Sequence, residues 1–485
     1  MFDPGRTPMA PQTRSSGPSD APARPTISIV GGGASGTLTA AHLLRVSRDT
    51  DLRVVLHESG PAPARGLAYS TTDTRHLLNV RTRDMSGLAD EPGHLVAWAE
   101  RTGAPADPVG FLPRATYARY LGDLLRDLDA HTGGRLEVRR EEVRDVAPRD
   151  GGGYAVQGTR GRTDADAVVL AYGNLPSATL RAGGDELPAA PWHLPSAWDV
   201  EALRALPADA RVVLVGSGLT AVDAAITLLG DEPAREVVMV SRSGRLPLDH
   251  LPQPCSTSWV RPVPEEARTA DALAAHVREQ VERARRSGVC WRSVVDGLRG
   301  WNQRLWLRLD HDERRRFLAH HARDWEVARH RMAPGVAATI AEHRRTGRLR
   351  LLGGGLTSVA DLGATVRVGL AGGEELEVDA VVNCTGPCPD LDRATLPVVA
   401  ALRDRGLLAA DPLGLGVDCR TDGRVVGRDG VARDDLLVVG PPRKGVLWET
   451  TAVPEIRAQA AELAVRLVAE VTATGAEGER ALARR

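Results

Sequence analysis

Two short glycine turns hold the residues whose type and spacing point most directly to chemistry. Gly31, Gly33 and Gly36 satisfy G-x-G-x-x-G within "GGGASG", where Ser35 also lies. Gly216, Gly218 and Ala221 give the same spacing within "GSGLTA". Glycine at these places permits a tight turn, lets a pyrophosphate approach the backbone, and aims a helix N-terminus at the anion. An alanine in the third place still allows close helix–strand packing. Glu58 ends the strand after the first turn, where a carboxylate accepts hydrogen bonds from the ribose hydroxyls of FAD or NAD. The strand after the second turn ends in "SRSGR", with Ser241, Arg242 and Arg245 where the acid would be. A guanidinium there grips a ribose 2′-phosphate that a carboxylate would repel. The expectation is FAD at the first turn and NADPH, in preference to NADH, at the second.

These turns need strands and helices to hold them. "TISIV" (Thr26 to Val30) is a β-branched apolar run of the kind buried in a parallel sheet, "TLTAAHLLRV" has helical spacing, and "LRVVLHE" is the next strand. "RVVLVGSGLTAVDAAITLLG" and "EVVMVSRSG" repeat the unit, an internal duplication. "AVVLAYGN" and "AVVNCTGP" are apolar strands that break at Gly173 and Gly386, the pattern by which two-dinucleotide flavoproteins pass the chain between domains. The first carries Tyr172 where Ala-Thr-Gly is usual. "RLEVRREEVRDVAPRD" and "GYAVQG" predict a small antiparallel ribbon. After "SRSGRLP" comes a proline-rich loop, then a helical stretch over 265–347 containing Trp291, Trp301, Trp306 and Trp325. Strands return at "EVDAVVNCTG" and "DDLLVVGPP", the latter reaching Gly440. A last helix is predicted from Val453 to Val471, with Pro454 in its first turn. The loop before it carries Arg443, Lys444, Trp448, Glu449 and Thr451. That helix's N-terminus can place partial positive charge at the flavin N1–C2=O edge, with Gly440 and Thr451 touching the cofactor and Trp448 near the ring. The alternative for Trp448 and Glu449 is a core contact with a capping acid.

The predicted fold class is α/β: two Rossmann-like dinucleotide-binding domains of the glutathione-reductase/flavin-monooxygenase type with a helical insertion. Residues 1–25 read as a disordered tail without the apolar segment of a signal peptide. Residues 26–200 read as the first part of the FAD-binding domain. Residues 201–385 read as the NAD(P)-binding domain, with the insertion at about 255–347, and 386–485 as the return segment of the FAD-binding domain.

Composition narrows the classes further. A chain of 485 residues with 42% apolar side chains fills more than one core. A net charge of −1 gives no reason to expect a nucleic-acid partner. No apolar run approaches the ~20 residues of a membrane span. Five cysteines in a long chain suit a reducing, cytoplasmic compartment rather than a disulfide framework. Cys384 and Cys388, spaced C-x3-C, read as small buried side chains. No Ser/His/Asp triad or metal-spaced His/Cys cluster stands out, which weighs against hydrolase and metalloenzyme chemistry. The oligomeric state is not legible.

Four longer motifs occur in order: "RGLAYSTTDTRHLLNVRTRDMS" (Arg65 to Ser86), "SRSGRLPLDH", "ERRRFLAHHARDWEVARHRMAP" (Glu313 to Pro334) and "GVLWETTAVPEIRAQA". Through them the chain resembles a bacterial family of two-domain FAD/NAD(P)-binding proteins that includes FAD-dependent urate hydroxylase and nitrosuccinate-forming aspartate N-monooxygenase. The resemblance implies a flavin monooxygenase. NADPH would reduce FAD, O2 would add at flavin C4a, and the hydroperoxide would hydroxylate a small polar metabolite, by amino-acid N-hydroxylation or purine hydroxylation. Such chemistry needs a site closed to water, for which the tryptophan-rich insertion is a candidate lid. Tyr69, His76, Asn79, Arg81 and Arg83 fall in the family's second motif, expected near the flavin ring, with Arg81 or Arg83 able to hold a substrate carboxylate. His330 and Arg331 fall in the insertion motif, within reach of substrate or nicotinamide phosphates. Asn79, Arg81, His330 and Trp448 are the catalytic candidates. An NAD(P)H-dependent reductase or oxidase without oxygen insertion, and a non-catalytic dinucleotide sensor, retain both nucleotide sites and stay open as alternatives.

Overall fold

The computed structural model describes residues 24–482. The expected tail lies outside the described residues apart from its last two. Thr26–Val30 is buried along its whole length and pairs in parallel with Arg53–Glu58 on one side and Ala167–Leu170 on the other. A strand covered on both faces can be apolar throughout, which is why this run lacks alternation. The sheet runs in the order Arg424–Val426, Ala432–Val438, Ala167–Leu170, Thr26–Val30, Arg53–Glu58, Leu136–Arg140. Every neighbour is parallel except the Arg424–Val426 edge. The helix Ala34–Val46 lies between the helices Arg114–His131 and Val453–Leu482, with Leu38, Leu43, Leu121 and Leu463 in one core. The chain beyond residue 386 thus completes the sheet that the N-terminal segment began.

The second sheet, His193–Leu194, Ala380–Asn383, Arg211–Val215, Glu236–Ser241, Leu349–Gly353, is wholly parallel. Each sheet is accompanied by a three-stranded antiparallel meander placed just before the strand that ends in glycine. These are Val143–Pro148, Tyr154–Gly158, Gly161–Ala165 in the first domain and Leu356–Asp361, Val366–Leu370, Glu375–Val378 in the second. The duplication therefore extends well past the glycine turns. The expected two-part ribbon needs correcting. Leu136–Arg140 is the edge strand of the first parallel sheet, and the meander has a third strand at Gly161–Ala165. A half-exposed edge strand alternates polar and apolar residues just as a ribbon strand does, so periodicity does not separate the two.

Five helices, Ala270–Arg286, Trp291–Gly297, Asn302–Arg308, His311–His320 and Ala322–Arg329, form the insertion. The next helix, Pro334–Arg345, sends Val336 and Ile340 into the core of the second sheet. Among the described residues no helix is long and apolar enough to cross a membrane, and no group of three metal-ligating side chains converges.

Candidate functional site: two nucleotide cradles

A cleft of about 580 Å³ opens where the strands of the first sheet end. Gly31, Gly33, Ser35, Glu58, Tyr69, Gly173 and Thr451 all line it. Gly31 has φ +103°, and a Cβ there would sit 2.6 Å from the Ala171 carbonyl oxygen. A Cβ on Gly36 would come within 1.8 Å of the Gly31 carbonyl, so this contact sets how closely helix and strand pack. Gly33 caps the helix Ala34–Val46 without a side-chain hydrogen bond, leaving the first-turn amides for an anion. Glu58 Oε1 accepts the Gly60 amide at 2.6 Å. Burial raises its carboxyl above the usual carboxylate range, against the opposing pull of the Gly60 and Gly32 amides.

Beneath Glu58 lies a network that the sequence did not announce. His57 sits between Ser28 Oγ at 2.9 Å and Glu141 Oε1 at 3.0 Å. Burial lowers the pKa of His57, although Glu141 opposes the shift. This buried network braces the strand end that presents Glu58. Arg65, exposed on the rim of the cleft, adds a cation.

The second turn is built the same way. Gly216 has φ +131°, and a Cβ there would meet the Cys384 carbonyl oxygen at 2.3 Å. The glycine turn and the strand Ala380–Asn383 therefore abut. Ser217 Oγ lies 2.7 Å from both Ser241 Oγ and the Arg245 carbonyl. Arg323, reaching over from the insertion, donates to that carbonyl at 2.6 Å and to Ser243 Oγ at 3.2 Å. Burial is the main influence lowering its pKa, and Arg245 and Arg242 add to it. Three guanidinium groups thus gather at the strand tip, with Asp324 paired to Arg245. Arg323 carried no signal in the sequence, because it lies about eighty residues downstream in a separate element.

The other candidates disperse. Gly440 has φ +82°, donates its amide to Gln459 Oε1 at 3.0 Å, and lies so close to Ser35 that a Cβ would meet its hydroxyl at 2.4 Å. It clamps the return segment onto the first turn. Thr451 and Gly173 also line a smaller cleft of about 100 Å³ with Lys444 and Cys388. Gly386 has φ +86° and nothing within 4 Å of its Cβ position. Arg81 donates to the carbonyls of Val109, Leu251 (2.7 Å) and Pro252 (3.3 Å), and its guanidinium lies over the Phe111 ring. It staples loops together in place of the carboxylate clamp expected of it. The Asn79 carbonyl accepts from His250 Nε2 at 3.0 Å. Arg83 is exposed beside Asp84. His76 is buried between the domains, sharing hydrogen bonds with Thr71, Thr227 and the Asp223 carbonyl.

Trp448 stacks on Trp306 at 5.1 Å and meets Phe317 edge-on, so it plugs into the insertion's core. Beside it Glu449 holds Arg329 in a two-pronged ion pair and accepts from Trp325. His330 is pushed down to about 4, mainly by burial and then by Arg329. Arg331 is buried against Asp296 and Trp291. None of Asn79, Arg81, His330 and Trp448 lines either cleft. Burial raises the Cys384 thiol, which suits the inert role expected of it.

Comparison with known proteins fits this geometry. Residues 28–175 match a family model described as FAD-NAD(P)-binding. No curated protein matches the chain. Among solved structures, the ornithine N-hydroxylase of Kutzneria sp. 744 superposes with a TM-score of 0.58 at 14% identity, covering 93% of this chain and 100% of that one. The cadaverine monooxygenase of Erwinia amylovora, solved with FAD, gives 0.61 at 15% identity, covering 91% and 93%. L-lysine 6-monooxygenase from Pseudomonas syringae gives 0.58 at 19% identity, covering 91% and 98%. The fold is that of FAD/NAD(P)-binding flavoproteins.

Proposed function

We propose that this protein is an FAD- and NADPH-dependent monooxygenase that hydroxylates a small polar metabolite, with amino-acid or amine N-hydroxylation ahead of purine hydroxylation. The observation that carries the reading is the pair of cradles in one chain, the first tipped by a carboxylate and the second by three arginines. The fold shared with ornithine, lysine and cadaverine hydroxylases supports it. So do the four motifs resembling the family of urate hydroxylase and aspartate N-monooxygenase. On this reading 26–200 and 386–485 form the FAD-binding domain, 201–385 the NADPH-binding domain, and the protein works in the cytoplasm with O2 and a small-molecule substrate.

The residues present fit both nucleotides. The amides around Gly31, Gly33, Ser35 and Gly36 would hold the FAD pyrophosphate, and Glu58 its ribose. Tyr172, Gly173 and Thr451 would flank the remainder of the cofactor. When bound, FAD supplies hydride acceptance from NADPH and activation of O2. Gly216, Gly218 and Ala221 would admit the NADPH pyrophosphate, and Arg242, Arg245 and Arg323 its 2′-phosphate. Lys444, the only lysine in the chain, stands at the smaller cleft as a cation for a substrate carboxylate or the reduced flavin edge.

One observation favours the reductase or oxidase alternative: the four catalytic candidates stand away from both clefts. The deciding experiment supplies FAD-loaded enzyme with NADPH and O2 over a panel of amino acids, diamines and purines. A hydroxylated product formed in step with NADPH consumption supports the monooxygenase. Peroxide release that no panel member alters would establish the reductase or oxidase instead, and failure of NADPH to reduce the flavin would leave only the sensor.

A further inference from the structure

The helices of the insertion, together with Trp448 of the return segment, line an open pocket of about 290 Å³ that belongs to neither nucleotide cradle. Apolar and aromatic side chains gathered around an open pocket leave surface in contact with water that folding otherwise buries, and such patches mark binding grooves. Stability alone therefore gives no reason for this one. Its walls carry Trp291, Trp306, Trp325, Phe317 and Trp448, so flat apolar faces dominate. The polar ends of two indoles are already satisfied. Trp306 Nε1 donates to the Gly445 carbonyl at 2.9 Å and Trp325 Nε1 to Glu449 at 3.2 Å.

Asn302 at the wall is only 7% exposed, and its Nδ2 has no hydrogen-bond partner among the described residues. A buried amide donor of that kind is costly unless something accepts from it. The charged groups of the lining are unequal. His321 is paired with Asp271 at 2.7 Å, and Asp324 with Arg245. Arg278 is exposed and has no ion pair among the described residues. The uncompensated charge of the lining is therefore positive.

We propose that this pocket binds an aromatic carboxylic acid, its rings between the indoles and its carboxylate at Arg278. The volume is about twice the ~150 Å³ that admits benzene, which suits one or two fused rings. Asn302 supplies a donor for a ring heteroatom or carbonyl. The site neighbours the smaller cleft and the second glycine turn. Trp448 carries Lys444 4.7 Å above its ring, and the wall helix Ala322–Arg329 bears Arg323.

The test is calorimetric titration of the FAD-loaded full-length protein with indole-3-acetate, neutral 3-methylindole and acetate. Saturable binding of the two indoles, without binding of acetate, is expected. Arg278→Ala should weaken indole-3-acetate by about two- to fivefold, the range of a partly exposed ion pair, and leave 3-methylindole unchanged. Ala274→Trp, which fills the pocket, should abolish both. No saturable binding of indole-3-acetate to the wild type, or binding that survives Ala274→Trp, overturns the proposal. If that variant does not fold, equal affinity of Arg278→Ala and wild type for indole-3-acetate overturns it. Binding is read without turnover, so the result stands apart from the monooxygenase reading. Hydroxylation of a bound acid would make it a substrate, and altered NADPH use without product an effector; both keep the site.

Discussion

At the scale of single residues, the proposed preference for NADPH calls on Arg323 as much as on the arginines of the strand tip. Arg245 is closely paired with Asp324, whereas Arg323 donates to neutral acceptors around the second turn and reaches the Glu326 carboxylate only at 4.0 Å. Losing one charge-assisted contact costs about 1.5–3 kcal/mol, roughly ten- to a hundredfold. Arg323→Ala should raise the KM for NADPH by about tenfold or more and leave that for NADH unchanged. Anaerobic flavin reduction by the two nucleotides measures this, and a parallel loss for both would refute it. Gly33→Asp should yield folded, colourless protein, since its carboxylate would occupy the pyrophosphate position; retained flavin absorbance in a folded variant would contradict the FAD assignment. His250 and His330 give a pH signature. Burial pushes both down to about 4, below the ~6.5 of an unfolded chain. The unfolded state then binds more protons between those values, so their contribution to stability is full above pH 6.5 and is lost as pH falls towards 4. Urea midpoints across this range should fall with acidification, and less steeply in His250→Gln, whose amide can still donate to Asn79. Equal slopes would show that His250 does not titrate as described.

At the scale of elements, the junction between the return segment and the insertion is the informative one. Glu449 and Arg329 are each 10% exposed and doubly bonded, beside the stacked pair Trp448 and Trp306. Removing one member of a buried pair leaves an uncompensated charge at a cost of about 3–5 kcal/mol. Glu449→Ala should therefore lose stability of that size in chemical denaturation, with the insertion becoming sensitive to protease first. A change below about 1 kcal/mol would mean the pair is solvated. The helix Val453–Leu482 follows this junction directly, so the loop that presents Thr451 to the cofactor cleft is held by the insertion at one end and by Gly440 against Ser35 at the other.

At the scale of the whole molecule, a buried polar knot ties the two nucleotide domains. His76 shares hydrogen bonds with Thr227, which donates to Asp73; Arg75 bridges Asp73 and Asp231, and Arg204 binds Asp231 from the second domain. Burial would raise the Asp73 carboxyl, but hydrogen bonds from Arg75 and Thr227 outweigh it and hold the group well below the usual range. The knot should make the domains unfold together, in one calorimetric transition. Thr227→Val combined with Asp73→Asn should split that transition in two; a single unshifted transition in the double variant would show that the knot does not couple them.

The sequence by itself determined what depends on neighbours along the chain. Gly31, Gly36 and Gly216 are legible because a tight turn between strand and helix accepts little else, and Glu58 and Arg242 because a strand tip has a fixed place relative to its turn. The two domains follow from that repeated local grammar. What only the tertiary structure decided depends on segments far apart in sequence. Arg81 looked free to bind substrate until loops around residues 109 and 251 put carbonyls on its guanidinium. Trp448 looked adjacent to a flavin until Trp306 stacked on it. Arg323 acquired a place beside the second turn only when the insertion folded over it. Local periodicity also left Leu136–Arg140 undecided, because the choice between sheet edge and ribbon belongs to the partner strand. A turn states its own geometry, whereas a side chain's role is set by whatever the rest of the chain brings within a few ångströms of it.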